Sequence, residues 1–579
     1  MSDSPTLHAL IDFADPAVQL GFGAPLRVHA THTVGGVRGV LDAVADEAAQ
    51  GRWCVGYLRY EAAPAFDAAL VTHPHDSNAG PLAWFGVHEE ALPLPAPVRD
   101  GARVDWQDLP PRSRFDADIS HILAAIAAGE LYQVNHTATL QGRLCAGDPR
   151  ALFDALRRAQ PRAYAAFIDA GHEQILSASP ELFFHWDDGR IESRPMKGTA
   201  ARGNTPDEDA ALAAALRASD KERAENLMIV DLIRNDLSRF AEPFSVHVPR
   251  LFALQAWPTV WQMSSVVEAR TRPGTTLTDV FAALFPCGSV TGAPKVQAMR
   301  MIRRLEPAPR GVYCGAVGIV QPGGAATFNV PIRTLRLAGD RATCGIGSGI
   351  TADARADGEW QEWRTKRGFV ERASAPFALL ETMRLDGGVF RERDAHLARL
   401  ARAAAHFGFA CDPGVIGAAL DALAAERPQG CWRVRLLVDV AGQPALEVHA
   451  HEDWPGPRRV QLAASALAEA GGEFVRFKTT RRAHYDALAP RDPGAFDTLL
   501  WNAAGELTEF TRGNACFELA DGRWVTPPLH CGLLDGIGRA AALREGRVSE
   551  AVVRVDELPQ VRRIAFFNSL RGWIDVTLV

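Results

Sequence analysis

The chain has 579 residues, more than one hydrophobic core supports, so two or more domains are expected. Its 47% hydrophobic and 23% charged residues are the proportions of a soluble globular protein, and a net charge of -7 without any Lys/Arg block argues against nucleic acid as the main partner. Nine cysteines without a C-x-x-C pair indicate neither a disulfide framework nor a zinc site, and no apolar run reaches the ~20 residues of a membrane span.

Met1-Ser2-Asp3-Ser4-Pro5 lacks a basic region followed by an apolar run, so no signal peptide is expected there, and a reducing cytoplasm fits. Residues up to about 100 read as strands and turns, with short apolar runs at Trp53 to Leu58 and Leu82 to Val87. Leu92 to Pro97 reads as a loop. Phe115 to Gly129 has helical apolar spacing and stops at a glycine, and Glu130 to Asn135 reads as a strand. Tyr164 to Ile168 and Gln174 to Ser179 are strand-like, and a hairpin about Asp187-Asp188-Gly189 delivers Lys197. Ser219-Asp220-Lys221-Glu222 has the pattern of a capping box. It opens a helix to Phe240 with Leu227, Val230, Ile233, Asn235 and Leu237 as inner-face candidates.

Phe285 to Lys295 is a Gly/Ser/Thr loop entering a helix, where free N–H groups favour an anion, but it lacks nucleotide P-loop spacing. Tyr313 to Gly318 and Asn329 to Thr334 read as strands, and Gly345 to Ile350 as a glycine-rich turn. Asp357 to Arg372 is a helix with Glu359, Glu362 and Lys366 on one face. Exposed ion pairing explains that face equally well; alternatively its carboxylates suit a hard cation such as Mg²⁺.

The pattern restarts after Arg372, so domains 1–372 and 373–579 are expected. Leu379 to Phe390 suggests a hairpin, and Arg393 to Phe407 an amphipathic helix carrying His396 and Arg399. Trp432 to Val440, Leu446 to His449, Val475 to Thr480, Thr498 to Asn502, Cys516 to Leu519 and Trp524 to Thr526 read as strands. Asp535 is an N-cap candidate for a last helix.

Taken in order, Tyr132-Gln133-Val134-Asn135, Ser179-Pro180-Glu181, Pro195-Met196-Lys197-Gly198-Thr199, Glu225 to Leu237, Gly288 to Lys295, Ile332-Arg333-Thr334, Gly347-Ser348-Gly349 and Glu359 to Lys366 resemble the chorismate-utilising enzymes. The resemblance implies an anthranilate-synthase-like β-sandwich with surrounding helices. Lysine at position 197 resembles the members that aminate chorismate at C4, because anthranilate-forming members typically carry a small residue there. It implies that the Lys197 amine attacks C2 while the 4-hydroxyl leaves, with ammonia then adding at C4. Glu181 would be the acid, its pKa raised by burial. Glu225 and Glu362, with Glu359 nearby, resemble Mg²⁺ ligands. Arg333 and the backbone of Gly347 and Gly349 resemble a carboxylate clamp. Gly198, Thr199, Ser289, Tyr313 and Lys366 would line the same pocket. Gln262 stands where the family usually has histidine, which removes a proton carrier.

The last 200 or so residues resemble the fold-type IV pyridoxal-phosphate enzymes through His396-Leu397-Ala398-Arg399-Leu400, Phe477-Lys478-Thr479-Thr480-Arg481, Glu506 to Asn514 and Gly536-Ile537-Gly538-Arg539. Two α/β subdomains with the cofactor between them are implied. Lys478 would carry the pyridoxal phosphate and Glu509 would pair with its pyridine nitrogen. Arg399, Ile537, Gly538, Asn568 and Ser569 would hold its phosphate.

The joining of the two segments suggests a chain that runs from chorismate and ammonia to 4-aminobenzoate, because the C4-aminated product keeps an enolpyruvyl group that a second site must remove. An anthranilate-forming enzyme fused to an aminotransferase, or a non-catalytic half, are the alternatives. No Gly-x-Cys-x-Gly elbow is present, so a separate glutamine amidotransferase subunit is expected to supply ammonia. Analogy makes a homodimer plausible.

Overall fold

The computed structural model describes residues 7–98, 101–203, 206–257, 260–453 and 456–579. The stretch 1–5 read above lies outside them. The chain divides into two compact units, Met1–Pro376 and Phe377–Val579.

The first unit contains two ten-stranded sheets. Its strand pairings are antiparallel. One sheet runs from Gly292–Ala293 through the long strand Gln133–Ala146 and Arg341–Ile350 to Ala17–Phe22 and Leu92–Pro93. The other has Met196–Ala201 at one end, beside Val260–Arg270. One core takes Phe183, Phe184 and Phe328 from strands, with Phe281 of the helix Leu277–Leu284 and Phe285 just after it; another takes Leu140, Leu335, Leu337 and Ile346 from strands. Trp363, on the helix Ala356–Ser374, closes the second core, and its indole donates to Ser348 Oγ at 3.1 Å.

Several local expectations are corrected. Val37–Ala49 is a helix, not strand or turn; Val37, Val40, Leu41, Val44 and Ala48 give it a buried stripe at helical spacing. Gly345 to Ile350 is the end of a central strand rather than a turn. Its glycines are there because a side chain would collide: a Cβ on Gly345 would lie 2.2 Å from the Tyr313 ring and one on Gly347 2.5 Å from the His136 carbonyl. Val330 to Arg333 links two strands and is not itself one, with Pro331 unable to donate and Arg333 at φ +50°. In the helix Asp220–Ser238, Leu227 and Asn235 face outward, and Asn226, Ile229 and Asp236 join Val230, Ile233 and Leu237 on the buried side.

The second unit contains a four-stranded antiparallel sheet with the helices Arg393–Phe407 and Pro413–Glu426, and an eight-stranded mixed sheet. Each has its own apolar core, the first around Met383, Leu400 and Leu436, the second around Leu499, Phe510 and Phe566. Glu473–Arg476 is one helical turn rather than a strand, and Gly536, not Asp535, caps the helix Ile537–Arg544. No described helix is long and apolar enough to cross a membrane.

Candidate active sites

Lys197 lies on the strand Met196–Ala201, which pairs with Val260–Arg270 through a register shift between Met196 and Thr199. Gly198 takes φ +90° inside that shift, a backbone region open to glycine without strain. Gln262 closes the irregularity. Its Nε2 donates to the Gly198 carbonyl at 2.8 Å, and its Oε1 accepts from Thr199 Oγ1 at 3.0 Å. Thr199 is thus exposed and spoken for by Gln262, rather than free to meet a ligand. The Lys197 amine reaches the opposite sheet: a Cβ on Gly349 would lie 2.9 Å from Nζ and 2.3 Å from Gln133 Nε2.

Glu181 is only 4% exposed. Burial pushes its carboxyl up to about 7, against the hydrogen bond with Ser289, the charge of Lys197 and the Met196 amide. The loop that carries Ser289 is tied down by Arg310, whose Nη1 and Nη2 donate to the Val290 and Asn135 carbonyls, each at 2.7 Å. Lys366 donates to the Gly347 carbonyl at 2.6 Å and pairs with Glu362 at 2.6 Å. Arg333 stacks on Phe369, 5.1 Å from the ring centroid. Burial, with Arg372 adding to it, lowers Arg333 to about 10. Among the described residues no carboxylate pairs with it, so it is available to an anionic ligand.

Four carboxylates share this region. Glu222 and Glu225 come from one helix, and Glu359 and Glu362 from another. Burial raises Glu222, Glu225 and Glu359, and repulsion among the four adds to it. Burial works against an ionised Glu362 too, but Lys366 holds it below the ordinary value. Glu359 Oε2 is buried without a hydrogen-bond partner. An unsatisfied carboxylate oxygen among like charges fits a hard divalent cation. No cage of three or more ligating side chains is closed among the described residues. Mg²⁺ keeps several waters and takes one or two carboxylates, so an open arrangement suits it.

In the second unit Lys478 follows the helical turn Glu473–Arg476, and its carbonyl accepts from the Leu380 amide at 3.1 Å. Burial, then the charge of Arg399, lowers the Lys478 amine to about 7. Lys478 lines a cleft with about 570 Å³ of empty space, together with Arg399, Glu509, Ile537, Asn568 and Ser569. Burial raises Glu509 to about 7, although Tyr485 Oη donates to it at 2.7 Å and the Leu534 amide at 3.2 Å. Arg399 is held by Glu381, with Nε to Oε1 at 2.9 Å and Nη2 to Oε2 at 2.6 Å. His396 Nδ1 lies 2.7 Å from the same carboxylate.

Two glycines shape the cleft's helical end. A Cβ on Gly536 would overlap Asn514 Oδ1 at 1.9 Å, and one on Gly538 would lie 2.8 Å from the Asn568 carbonyl carbon. Their absent side chains let the helix start approach Asn568 and Ser569 and leave its first N–H groups open. A partly buried lysine, a buried carboxylate and a helix start around one cleft fit a phosphorylated pyridine aldehyde such as pyridoxal phosphate.

Residues 90–372 match the model of the chorismate binding enzyme family, and residues 378–579 that of amino-transferase class IV. Each of the two segments is thus similar to one of these families. The chain is 46% identical over 242 residues to aminodeoxychorismate synthase of Streptomyces griseus, covering 42% of this chain and 33% of that protein. It is 40% identical over 269 residues to aminodeoxychorismate synthase component 1 of Salmonella typhimurium, covering 46% of this chain and 59% of that one. The chain thus spans less than two thirds of the length of these relatives. Anthranilate synthase component I from Streptococcus pneumoniae is similar in structure, with a TM-score of 0.54 and 25% identity, over 64% of this chain and 93% of that chain.

Four residues of these segments escaped the sequence reading. Glu222, one turn before Glu225, reads in the sequence as part of a capping pattern and of a solvated acidic face. Arg310, Glu381 and Tyr485 lie outside the motifs and act on site residues through contacts the sequence does not display. The one available signal was for Glu222, which lies three residues before Glu225 and hence on the same helical face.

Proposed function

We propose that the chain makes 4-aminobenzoate from chorismate and ammonia in two steps, one in each segment. In the first, the Lys197 amine attacks C2 of chorismate, the two conjugated ring double bonds shift from C1=C2 and C5=C6 to C1=C6 and C4=C5, and the 4-hydroxyl departs as water with the proton of Glu181. Ammonia then adds at C4, both double bonds shift back and the lysine amine is released. The product is 4-amino-4-deoxychorismate with its enolpyruvyl group intact. Arg333 and the backbone at Gly347 and Gly349 hold the enolpyruvyl carboxylate, and Gly198, Ser289, Tyr313 and Lys366 shape the pocket. Glu225 and Glu362, with Glu359 nearby, would hold Mg²⁺ together with water, and the ion when bound would offset the charge of the ring carboxylate.

In the class IV segment Lys478 would carry pyridoxal phosphate, with Glu509 at the pyridine nitrogen and Arg399, Ile537, Gly538, Asn568 and Ser569 at the phosphate. The cofactor when bound would supply the electron sink that makes the C4 proton acidic. Lys478, lowered to about 7, is a base matched to neutral pH, and it would take that proton. The enolpyruvyl group leaves as pyruvate and the ring becomes aromatic.

One observation carries the reading: the Lys197 amine lies against Gly349 and beside a carboxyl held near 7. The relatives named aminodeoxychorismate synthase support it. The name component 1 of one of them supports a separate subunit that supplies ammonia. A homodimer and a cytoplasmic location complete the proposal. The test is product identification from chorismate, ammonia, Mg²⁺ and pyridoxal phosphate. Lys197→Ala should block amination, and Lys478→Ala should let aminodeoxychorismate accumulate. Normal 4-aminobenzoate release by the Lys478→Ala chain would sink the second step. The likeness to an anthranilate synthase component I favours one other reading, for which the product would be 2-aminobenzoate.

A further inference from the structure

Three arginines line the cleft at Lys478: Arg399, Arg482 and Arg512. Two have acid partners. Glu381 grips Arg399, and Arg512 donates Nε to Asp497 Oδ2 at 3.2 Å. Arg482 differs. Among the described residues no carboxylate lies within ion-pair distance of it. Its contacts are the Thr511 carbonyl, which accepts from Nη2, and the face of Tyr485, whose ring centroid is 4.6 Å away. Its charge is felt at Lys478 and at Glu509, so it belongs to the same electrostatic site. Glu509 is already engaged by Tyr485 and Leu534.

A guanidinium offers five N–H donors in a planar fork, and one bond to a carbonyl leaves most of that fork open. A half-buried cation without a counter-charge is costly until an anion arrives. The fork matches a carboxylate bidentately, which a lysine cannot do. The helix start at Ile537 and Arg399, which Glu381 holds, already offer a place for a phosphate. The anion left without a partner is the substrate's own.

We infer that Arg482 receives a carboxylate of the substrate in the class IV cleft. This rests on the pyruvate-releasing reaction proposed above, whose substrate has two carboxylates, one on the ring and one on the enolpyruvyl group. Arg482 then sets specificity for an acidic substrate and leaves cofactor binding to other residues.

The test uses the full chain loaded with pyridoxal phosphate, as wild type, Arg482→Gln and Arg482→Lys, with melting curves to check folding. Three quantities are measured: the dissociation constant for pyridoxal phosphate, the KM and kcat for pyruvate release from added aminodeoxychorismate, and the affinities of 4-aminobenzoate and pyruvate. Each product carries one of the two carboxylates. The Gln variant should raise KM about 10- to 100-fold, as expected for a lost charge-assisted pair, with cofactor affinity unchanged within about twofold. The Lys variant should recover part of the loss. Weakened binding of only one product identifies which carboxylate Arg482 meets. Cofactor affinity weakened about tenfold at unchanged KM would overturn the inference in favour of a phosphate ligand. So would an unchanged KM with both products binding normally. If the wild type releases no pyruvate, the reaction is what fails, and the two product titrations still judge the arginine.

Discussion

The carboxylate of Glu381 holds the guanidinium of Arg399 at two points, 2.9 and 2.6 Å. Despite the cost of burial, the charge of Arg399 and the bonds from His396 and Arg399 bring Glu381 down to about 2. Both partners are buried, so removing one leaves the other uncompensated. Glu381→Gln is expected to cost about 3–5 kcal/mol of stability in the class IV segment and to weaken pyridoxal phosphate binding about tenfold or more. Urea unfolding and cofactor titration check the two effects separately.

The raised carboxyl of Glu181 gives a pH dependence with a definite sign. The proposed acid works only when protonated, so kcat/KM for amination should be level below pH 7 and fall about tenfold per unit above it. The same shift bears on stability. A carboxyl held near 7 in the fold, against an ordinary 4.5, contributes stability below about pH 4.5 that is lost as pH rises through about 7. Glu181→Gln should lower amination about 10²- to 10⁴-fold and flatten that limb of the profile. A limb that persists unchanged in the Gln variant would remove Glu181 from the role.

Repulsion among Glu222, Glu225, Glu359 and Glu362 should be relieved by a divalent cation. Mg²⁺ at about 100 times its dissociation constant should stabilise the chorismate-binding segment by about 2.7 kcal/mol, read as a higher melting temperature. Glu359→Gln should shrink that shift and raise the Mg²⁺ needed for half-maximal amination.

Gln262 fastens the strand of Lys197 by donating to Gly198 and accepting from Thr199. Small displacements of a reacting group cost up to about 10²-fold in rate. Gln262→Leu should therefore lower kcat about 10- to 100-fold with little change in KM for chorismate. Gln262→Glu can accept but not donate when ionised, so its activity should recover as pH falls, a limb the wild type lacks. Profiles of the same shape in all three proteins would show that this clamp does not position the lysine.

Phe281 packs against Phe328 at 5.0 Å and Phe184 at 5.3 Å between ring centroids, fully buried. Phe281→Ala should cost about 3–5 kcal/mol, measurable by urea unfolding, because the cavity cannot close among rigid rings.

Much of this arrangement was legible in the sequence because its chemistry needs particular residues at short spacing. Lys197 between proline and glycine, the paired glutamates of one helix face and the Glu506 to Asn514 run are of that kind. What escaped is set by contacts across long separations. Glu381 and Arg399 meet from different elements, 18 residues apart, and Arg310 meets Asn135 across 175. The glycines Gly345, Gly347 and Gly349 misled for a physical reason. Glycine usually marks a turn, whereas here it marks a strand whose neighbours leave no room for a Cβ. Arg333 misled likewise, since its left-handed backbone cannot be read from residue type.

The two compact units, Met1–Pro376 and Phe377–Val579, are translated as one polypeptide. Their copy numbers are therefore locked at one to one, whatever the level of expression. For the proposed reaction, at a given supply of chorismate and ammonia, the steady level of the aminated intermediate then depends on the ratio of the two rate constants and not on the amount of enzyme. A change in gene dosage raises the throughput of both steps together and leaves that level unaltered, whereas a mutation in either unit shifts it. With separate enzymes, regulation would have to supply that balance; here the ribosome does.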